Sequence, residues 1–187
     1  NIATYCRFKG CEGWVMKTWF DTKDEWFLNN REYLYNDLLS GKIAKFHDEQ
    51  LNKNLYEFIP SDFDIALVEA IATEKSKHTN SNNQYDEART PEKKKNKQFE
   101  GCLAELAVAK FLVHVFDENP NNIHIYDSER IDFEYRPGEE YDVKVVKNNV
   151  EKKCEVRNSW SYKTNISDFC RTYDILGTYT NESKKSE

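Results

Sequence analysis

Two acidic side chains, those of Asp142 and Glu155, are predicted to face each other across a β-hairpin in the second half of the chain. Between residues 141 and 157, apolar and polar residues alternate on either side of Asn148-Asn149, which is the pattern of two half-buried strands. Asparagine accepts the positive φ that a two-residue hairpin turn requires. A turn at this dipeptide places the two acids directly opposite each other, with Cβ atoms roughly 4.5–5.5 Å apart.

Two negative charges this close repel each other unless one carboxyl is protonated or a cation lies between them. A divalent metal ion with hard oxygen ligands would remove the repulsion, so the pair is a candidate metal site. The alternative is that both acids belong to the solvated face of an ordinary hairpin, together with its other charged residues, Glu140, Lys144, Lys153 and Arg157.

Glu105 is a third acid whose setting predicts chemistry. It lies in a strongly apolar pattern that predicts a buried helix over residues 98–116. A lone carboxylate is costly to bury, and such groups usually have a cationic partner or a metal ion. Glu105 is therefore predicted to be either a metal-site acid or the partner of a lysine or arginine from another element.

The order of these features, a helix acid, a strand aspartate and a Glu-x-Arg on the next strand, resembles the PD-(D/E)xK nuclease superfamily. This is the restriction-endonuclease-like fold of many type II restriction enzymes and of phage and repair nucleases, and the resemblance covers roughly residues 99–179. In that family the acids converge around magnesium. The resemblance implies that Glu105, Asp142 and Glu155 hold Mg²⁺ or Mn²⁺, with the backbone carbonyl of Val156 as a further ligand.

The implied activity is metal-dependent hydrolysis of DNA phosphodiester bonds by an endonuclease of the restriction, phage or defence type. Its catalytic residues would be Glu105, Asp142, Glu155 and Arg157. Arg157 stands where the family has lysine, and arginine keeps its proton, so it would position the phosphate or the water while the metal lowers the pKa of the water. The alternative is a catalytically degenerate module that binds nucleic acid or a protein partner without cutting.

Two further groups of residues are candidates for contacts with nucleic acid. In a nuclease of this kind, side chains just past the second acidic strand sit beside the substrate; here they are Ser159, Trp160, Tyr162 and Lys163. A lysine run, Lys93, Lys94 and Lys95, lies in a long polar loop predicted over residues 80–98 and would contact phosphate. In both places, the alternative is a solvated surface segment.

The helices and strands that must position these residues are predicted to form a chain of mixed α/β structure, of the α+β class. The expected architecture is a restriction-endonuclease-like core, a mixed β-sheet flanked by helices, after a mainly helical N-terminal part for recognition or dimerisation. The predicted units are residues 1–79 (helical part), 80–98 (polar loop), 99–180 (nuclease-like core) and 181–187 (tail). Helices are predicted over 23–39, 42–58 and 62–77, and strands over 122–126, 131–135 and 173–179.

Composition limits the classes of partner. The 187 residues carry a net charge of −6, which excludes a broad nucleic-acid-coating surface and leaves room for an enzyme that contacts DNA through a local basic patch. No apolar run is long enough to cross a membrane. The resemblance implies double-stranded DNA as the partner and a homodimer as the assembly. The five cysteines are an odd number, of which Cys102, Cys154 and Cys170 are scattered, and they fit a reducing, cytoplasmic compartment. Cys6 and Cys11 are close together but have no second close pair with which to bind zinc.

Overall fold

The computed structural model describes residues 3–8, 11–16, 27–35, 37–39, 41–49, 53–79, 88–130, 132–133, 141–156 and 158. In chain order its elements are β1 (Ala3–Phe8), β2 (Cys11–Met16), α1 (Arg31–Tyr35), β3 (Lys42–Asp48), β4 (Lys53–Ile59), α2 (Asp62–His78), α3 (Pro91–Phe116), a 3₁₀ helix (Pro120–Asn122), β5 (Ile123–Ile125), α4 (Tyr126–Glu129), β6 (Val143–Lys147) and β7 (Val150–Cys154). The strands form the antiparallel hairpins β1-β2 and β3-β4 and the antiparallel sheet β5-β6-β7. This mixture of helices and antiparallel sheets confirms the predicted α+β class, whereas the mixed β-sheet of the prediction is not found among the described residues, whose strands all pair antiparallel.

Helix α2 begins at the signal that its sequence predicts. The Ser61 hydroxyl oxygen accepts a hydrogen bond from the Asp64 amide, and the Asp64 carboxylate accepts one from the Ser61 amide. This reciprocal capping satisfies two amides that the first helical turn leaves without partners. The buried face of α2 consists of Asp64, Ala66, Leu67, Val68, Ala70, Ile71 and Ala72.

Helix α3 is longer than predicted. Thr90 caps its first turn by accepting from the Lys93 amide, and Pro91 occupies the first helical position, where its missing N–H costs nothing. The predicted loop over 80–98 is therefore wrong for residues 91–98, which form the first turns of α3. Lysine is a good helix former, and the polar composition of this stretch concealed the Thr-Pro start signal. Residues 80–87 lie outside the described residues.

A single core joins the long helices to the three-stranded sheet. Helix α3 packs against α2 and also contacts β5 and β6. Leu67 and Ile71 from α2, Leu106 from α3, and Ile125 and Val143 from the sheet are all buried in it. Each such side chain stabilises the fold by about 1.5–3 kcal/mol when fully buried. The packing of Leu106 holds the neighbouring Glu105 at the junction of α2, α3 and the sheet.

The β6-β7 hairpin has the predicted register. Lys147 pairs with Val150 and Val143 pairs with Cys154, and both turn residues, Asn148 and Asn149, have positive φ (52° and 63°). Positive φ at both central positions is the geometry of the hairpin turn that asparagine favours. Asp142 and Glu155 consequently lie one position beyond the last strand pair, at the open end of the hairpin.

The N-terminal part is not mainly helical in its described residues. The helix predicted over 42–58 is wrong, because β3 and β4 form a hairpin there in which Ile43 pairs with Phe58 and Lys45 with Tyr56. The apolar residues of this segment alternate as they do in the strands of a hairpin, but over so short a stretch their spacing also fits a helix. Further along, the strand predicted over 122–126 is confirmed for Ile123–Ile125, and Tyr126 begins a helical turn instead.

Several predicted elements are not tested by the described residues. Of the strand predicted over 131–135, residues 132 and 133 are not in a strand and the rest lie outside the described residues, as do the strand predicted over 173–179 and the tail. The boundaries proposed between the units remain predictions. No helix in the described ranges combines the length and the apolar character that a membrane crossing requires.

Candidate metal and substrate site

A cavity of about 320 Å³ opens where α2, α3, α4 and the start of β6 meet. We call it the acidic pocket. Its described lining residues are Lys75, His78, Thr79, Gln98, Glu105, Tyr126, Asp127, Arg130, Phe133, Tyr141 and Asp142. The volume is at the lower end of the range for small-ligand sites.

Glu105 and Asp142, predicted as site acids from distant parts of the sequence, both line the acidic pocket. Glu105 is buried on the inner face of α3 and is only 7% exposed. Its pKa is raised well above the ordinary value, chiefly by burial and then by the charge of Asp127, with Asp142 adding to the effect. Lys75 and Arg130 act in the opposite direction without cancelling it. These surroundings therefore favour the protonated form of Glu105 unless a cation lies beside it.

Asp142 is fixed in place by the backbone on both sides of it. Its Oδ2 accepts a hydrogen bond from the Val156 amide at 2.6 Å, and its carbonyl oxygen accepts one from the Tyr126 amide at 3.2 Å. Burial raises the pKa of Asp142, the Val156 hydrogen bond lowers it, and the charge of Glu155 raises it again. The repulsion expected between Asp142 and Glu155 is thus present.

The structure does not bring every predicted site residue into the acidic pocket. Glu155 is exposed and is not among the described lining residues, although its charge reaches Asp142. Val156 contributes its amide to the site. Arg157, Ser159, Trp160, Tyr162 and Lys163 are not described. The lysine run at 93–95 lies on the first turn of α3 and does not line the pocket, and the Lys94 ammonium group donates to the Thr79 carbonyl.

Three further charged residues of the pocket were missed in the sequence. Asp127 is buried at the start of α4; its Oδ2 lies 2.5 Å from Lys75 Nζ and its Oδ1 lies 3.5 Å from Arg130 Nη1. In the sequence, Lys75 looks like any basic residue in the last turn of a helix, so nothing marks it as a site residue. Asp127 and Arg130 stand in the polar stretch 127–130, which shows neither helical nor strand periodicity. The one available signal was the end of the apolar β5 strand immediately before this stretch.

The pocket combines three carboxylates, Glu105, Asp127 and Asp142, with two cations, Lys75 and Arg130. Burial opposes the charge of Lys75, but the electrostatic effects of Cys102, Asp127 and Glu105, together with the hydrogen bond to Asp127, outweigh burial and raise the pKa of Lys75 above its ordinary value. Lys75 therefore stays protonated. It can neutralise an anion and cannot act as a base.

An aromatic wall closes one side of the pocket. The rings of Tyr126 and Tyr141 meet edge to face with centroids 5.2 Å apart, and the Arg130 guanidinium lies 4.9 Å from the Tyr126 centroid. Lys144 Nζ and Lys153 Nζ lie 4.8 and 5.8 Å from the Tyr141 centroid. Aromatic faces beside cations suit a ligand that carries both a planar ring and a negative charge.

Behind the cavity lies a buried group that contains sulfur as well as oxygen. Cys102 Sγ lies 3.6 Å from Asp127 Oδ2, and one ligand atom from each of Cys102, Glu105 and Asp127 lies within 4.8 Å of the others. The hydroxyl of Tyr35 faces this group from α1 and is fully buried. Glu105 and Asp127 line the cavity, whereas Cys102 and Tyr35 lie behind them; we call these four residues the floor of the acidic pocket.

No protein-family model, curated protein or solved structure matches this chain.

Proposed function

We propose that the protein is a metal-dependent nuclease that hydrolyses DNA phosphodiester bonds, of the restriction, phage or defence type. The observation that supports this most strongly is the meeting of Glu105 and Asp142, acids from a helix and from a strand edge, in one pocket beside Asp127. The element order α3, β5, β6, β7, with acids on α3, before β6 and after β7, is compatible with a restriction-endonuclease-like core.

The donor set of the pocket fits Mg²⁺ or Mn²⁺, since both ions prefer carboxylate oxygens. Glu105 and Asp142 would hold the ion, with Glu155 and the Val156 carbonyl as further ligands. Such an ion, when bound, lowers the pKa of a coordinated water and stabilises charge on the phosphate. The hydrogen bond from the Val156 amide orients the Asp142 carboxylate and leaves its second oxygen available.

In this proposal, the cations of the pocket interact with the substrate and not with the metal ion. Lys75 and Arg130 line the same cavity as the acids, so their charges can offset the negative charge of a phosphodiester. Arg157 would position the phosphate or the attacking water, as its place after Glu155 suggests. The aromatic wall of Tyr126 and Tyr141 offers a surface on which a base can stack.

The partner and the assembly belong to the same proposal. Double-stranded DNA is the proposed substrate, and a homodimer is the proposed assembly because two pockets are needed to cut both strands. Cys102 and Cys154 are free thiols, which fits the proposed reducing, cytoplasmic compartment.

The test is cleavage of supercoiled plasmid in the presence of Mg²⁺ or Mn²⁺. The parent protein should convert the plasmid to open-circular or linear forms, and Asp142→Ala should lower the rate by more than roughly 100-fold, since loss of a ligand should exceed the loss of an outer-shell contact. Asp62→Ala is the matched control, because Asp62 is an exposed acid at the start of α2. Equal cleavage by the parent and Asp142→Ala would contradict the proposal.

The second candidate is a nuclease-like module that binds nucleic acid or a protein partner without cutting. Arginine at position 157 and the net charge of −6 favour it. A fluorescence-anisotropy titration with labelled DNA distinguishes the two, because the module binds without cleavage at any metal concentration.

A further inference from the structure

The floor of the acidic pocket is built from an unusual set of donors for an acidic site. Cys102 is fully buried, Asp127 is 2% exposed and Glu105 is 7% exposed. One donor atom from each lies within 4.8 Å of the other two. A cation placed among three atoms so spaced would need only small side-chain movements to reach ordinary metal–ligand distances of about 2.0–2.3 Å.

The sulfur atom decides which cation such a site would favour. Mg²⁺ prefers oxygen ligands, whereas a thiolate together with carboxylates suits ions of borderline softness such as Zn²⁺ and Co²⁺. The donor set on the floor thus differs from the all-oxygen set that Glu105, Asp142 and Glu155 would offer to Mg²⁺.

A second observation points to a ligand at the same place. The Tyr35 hydroxyl is fully buried and has no hydrogen-bond partner among the nitrogen and oxygen atoms of the described residues. Burial, the electrostatic effects of Cys102, Glu105 and Asp127, and a contact with the Cys102 sulfur raise the pKa of Tyr35, so the hydroxyl faces these three groups as a protonated donor. Sulfur is a weak acceptor, so the buried hydroxyl is poorly satisfied, and a water bound to a cation would be a stronger partner.

The ammonium group of Lys75 would compete with a metal ion for the Asp127 carboxylate. Its ammonium group lies 2.5 Å from Asp127 Oδ2 and so supplies part of the positive charge that a metal ion would bring. Lys75 pairs with Asp127, so Glu105 and Asp142 line the same cavity as further carboxyl groups for a cation.

We propose that Cys102, Glu105 and Asp127 bind a divalent cation of the zinc class, with the Tyr35 hydroxyl hydrogen-bonded to the fourth ligand of the ion. This site shares Glu105 with the proposed magnesium site and does not depend on hydrolysis of DNA. Cys102 and Tyr35 belong to it alone, and Asp142 belongs to the magnesium site alone.

The experiment is a titration of the full chain with Co²⁺, followed by absorption spectroscopy. A cobalt–thiolate bond gives a charge-transfer band in the near ultraviolet, and added Zn²⁺ should remove it by displacement. The band should be lost in Cys102→Ser and in Cys102→Ala, with circular dichroism used to establish that each variant is folded. A parent spectrum without the band, or a folded Cys102→Ser protein that keeps it, would overturn the proposal.

Matched controls separate this site from the other cysteines and from the nuclease proposal. Cys154→Ser, Cys170→Ser and the double variant Cys6→Ser/Cys11→Ser should keep the cobalt band, because these thiols are not part of the proposed site. Asp142→Ala should keep the band while losing any plasmid cleavage, so each proposal can fail without the other. Loss of the band in the double variant would assign it to the N-terminal pair and contradict the proposal.

Two further variants test the roles of Tyr35 and Lys75, which lie beside the proposed ion. Tyr35→Phe removes only the hydroxyl and should weaken Co²⁺ binding about tenfold, the lower end of the range for groups behind a metal ligand, while the band remains. Lys75→Gln should bind Co²⁺ more tightly, because the competing ammonium group is gone. Unchanged affinity in either variant would contradict the part assigned to that residue.

Discussion

Helix α3 buries charge in two places, and the two places differ in how the charge is balanced. On one side, Lys110 and Asp64 form an ion pair with a nitrogen–oxygen distance of 3.1 Å, and both side chains are almost fully buried. The backbone closes over them at Gly41, where an added Cβ would lie 3.1 Å from Lys110 Nζ and 3.2 Å from Asp64 Oδ2. No space is left for a ligand there.

The acidic pocket, which contains Glu105 of the same helix, has the opposite character. Three carboxyl groups and two cations line one cavity, and a buried hydroxyl lies at its floor without a nitrogen or oxygen partner among the described residues. Evenly matched and tightly enclosed charges are typical of a structural ion pair. Unmatched charges around open space are typical of a site that binds something. Four predictions test this distinction.

The largest expected effect is on the ion pair. Lys110→Met leaves the Asp64 carboxylate buried without its lysine, which should lower the free energy of unfolding by about 3–5 kcal/mol in urea titrations. The double variant Lys110→Met/Asp64→Asn removes both charges, keeps an oxygen for the Ser61 amide and should recover most of the loss. A double variant as unstable as the single one would show that the unpaired charge of Asp64 is not the cause of the lost stability.

Metal binding should act on the acidic pocket and not on the ion pair. Mn²⁺ at 100 times its Kd should raise the free energy of unfolding of the parent by about 2.7 kcal/mol, since it binds the folded chain alone. Chelation should reverse the effect, Asp142→Asn should lose most of it, and Lys110→Met/Asp64→Asn should retain it. An equal gain in parent and Asp142→Asn would place the ion elsewhere.

The pH dependence of stability should report the unbalanced carboxylates. The pKa of Glu105 is raised in the folded chain, so the folded state binds the proton more tightly than the unfolded one. Stability contributed by this group is therefore fully present below the unfolded pKa and is lost as the pH rises through the folded pKa. In that window the parent should lose up to about 1.4 kcal/mol of unfolding free energy per pH unit.

Glu105→Gln is the variant that checks this slope. It cannot lose a proton, so its unfolding free energy in the absence of metal should fall less steeply with pH than that of the parent; Asp142, whose pKa is also raised, accounts for the slope that remains. Identical slopes in the two proteins would mean that Glu105 does not titrate abnormally.

The smallest effect is expected at Glu155. Because this side chain is exposed, Glu155→Gln should change the free energy of unfolding by less than about 0.5 kcal/mol, as is usual for surface positions. It should weaken Mn²⁺ binding less than Asp142→Asn does, as calorimetric titration can measure. A loss of affinity equal to that of Asp142→Asn would make Glu155 a full member of the metal site.

The parts of the fold that follow from local rules could be predicted from the sequence. Two asparagines in a row set the turn and register of the β6-β7 hairpin, and Ser61 with Asp64 sets the start of α2. The burial of Glu105 follows from its place in an apolar helix. In each case a few neighbouring residues determine the geometry.

The remaining parts depend on contacts between distant residues. Lys75 and Asp127 come together only because α2 packs on α3 and because β5, which leads into α4, contacts the same helix; neither residue stands in a pattern that predicts a partner. The β3-β4 hairpin was predicted to be a helix, because over a short stretch the spacing of its apolar residues fits both the helical period and the strand period. Composition was misleading at Lys93–Lys95, where charged residues form a helix rather than a loop.

The turn at Asn148 and Asn149 lies at the exposed end of its hairpin, far along both strands from Asp142. Side chains alternate between the two faces of a strand, so shifting one strand by one residue relative to the other would turn every side chain of the moved strand to the opposite face. An insertion at this solvated tip would therefore leave β6 paired with β5 while the edge strand β7 shifts, and the Val156 amide would no longer reach the Asp142 carboxylate. Variation in turn length, harmless on most protein surfaces, would here disturb the acidic pocket from a distance.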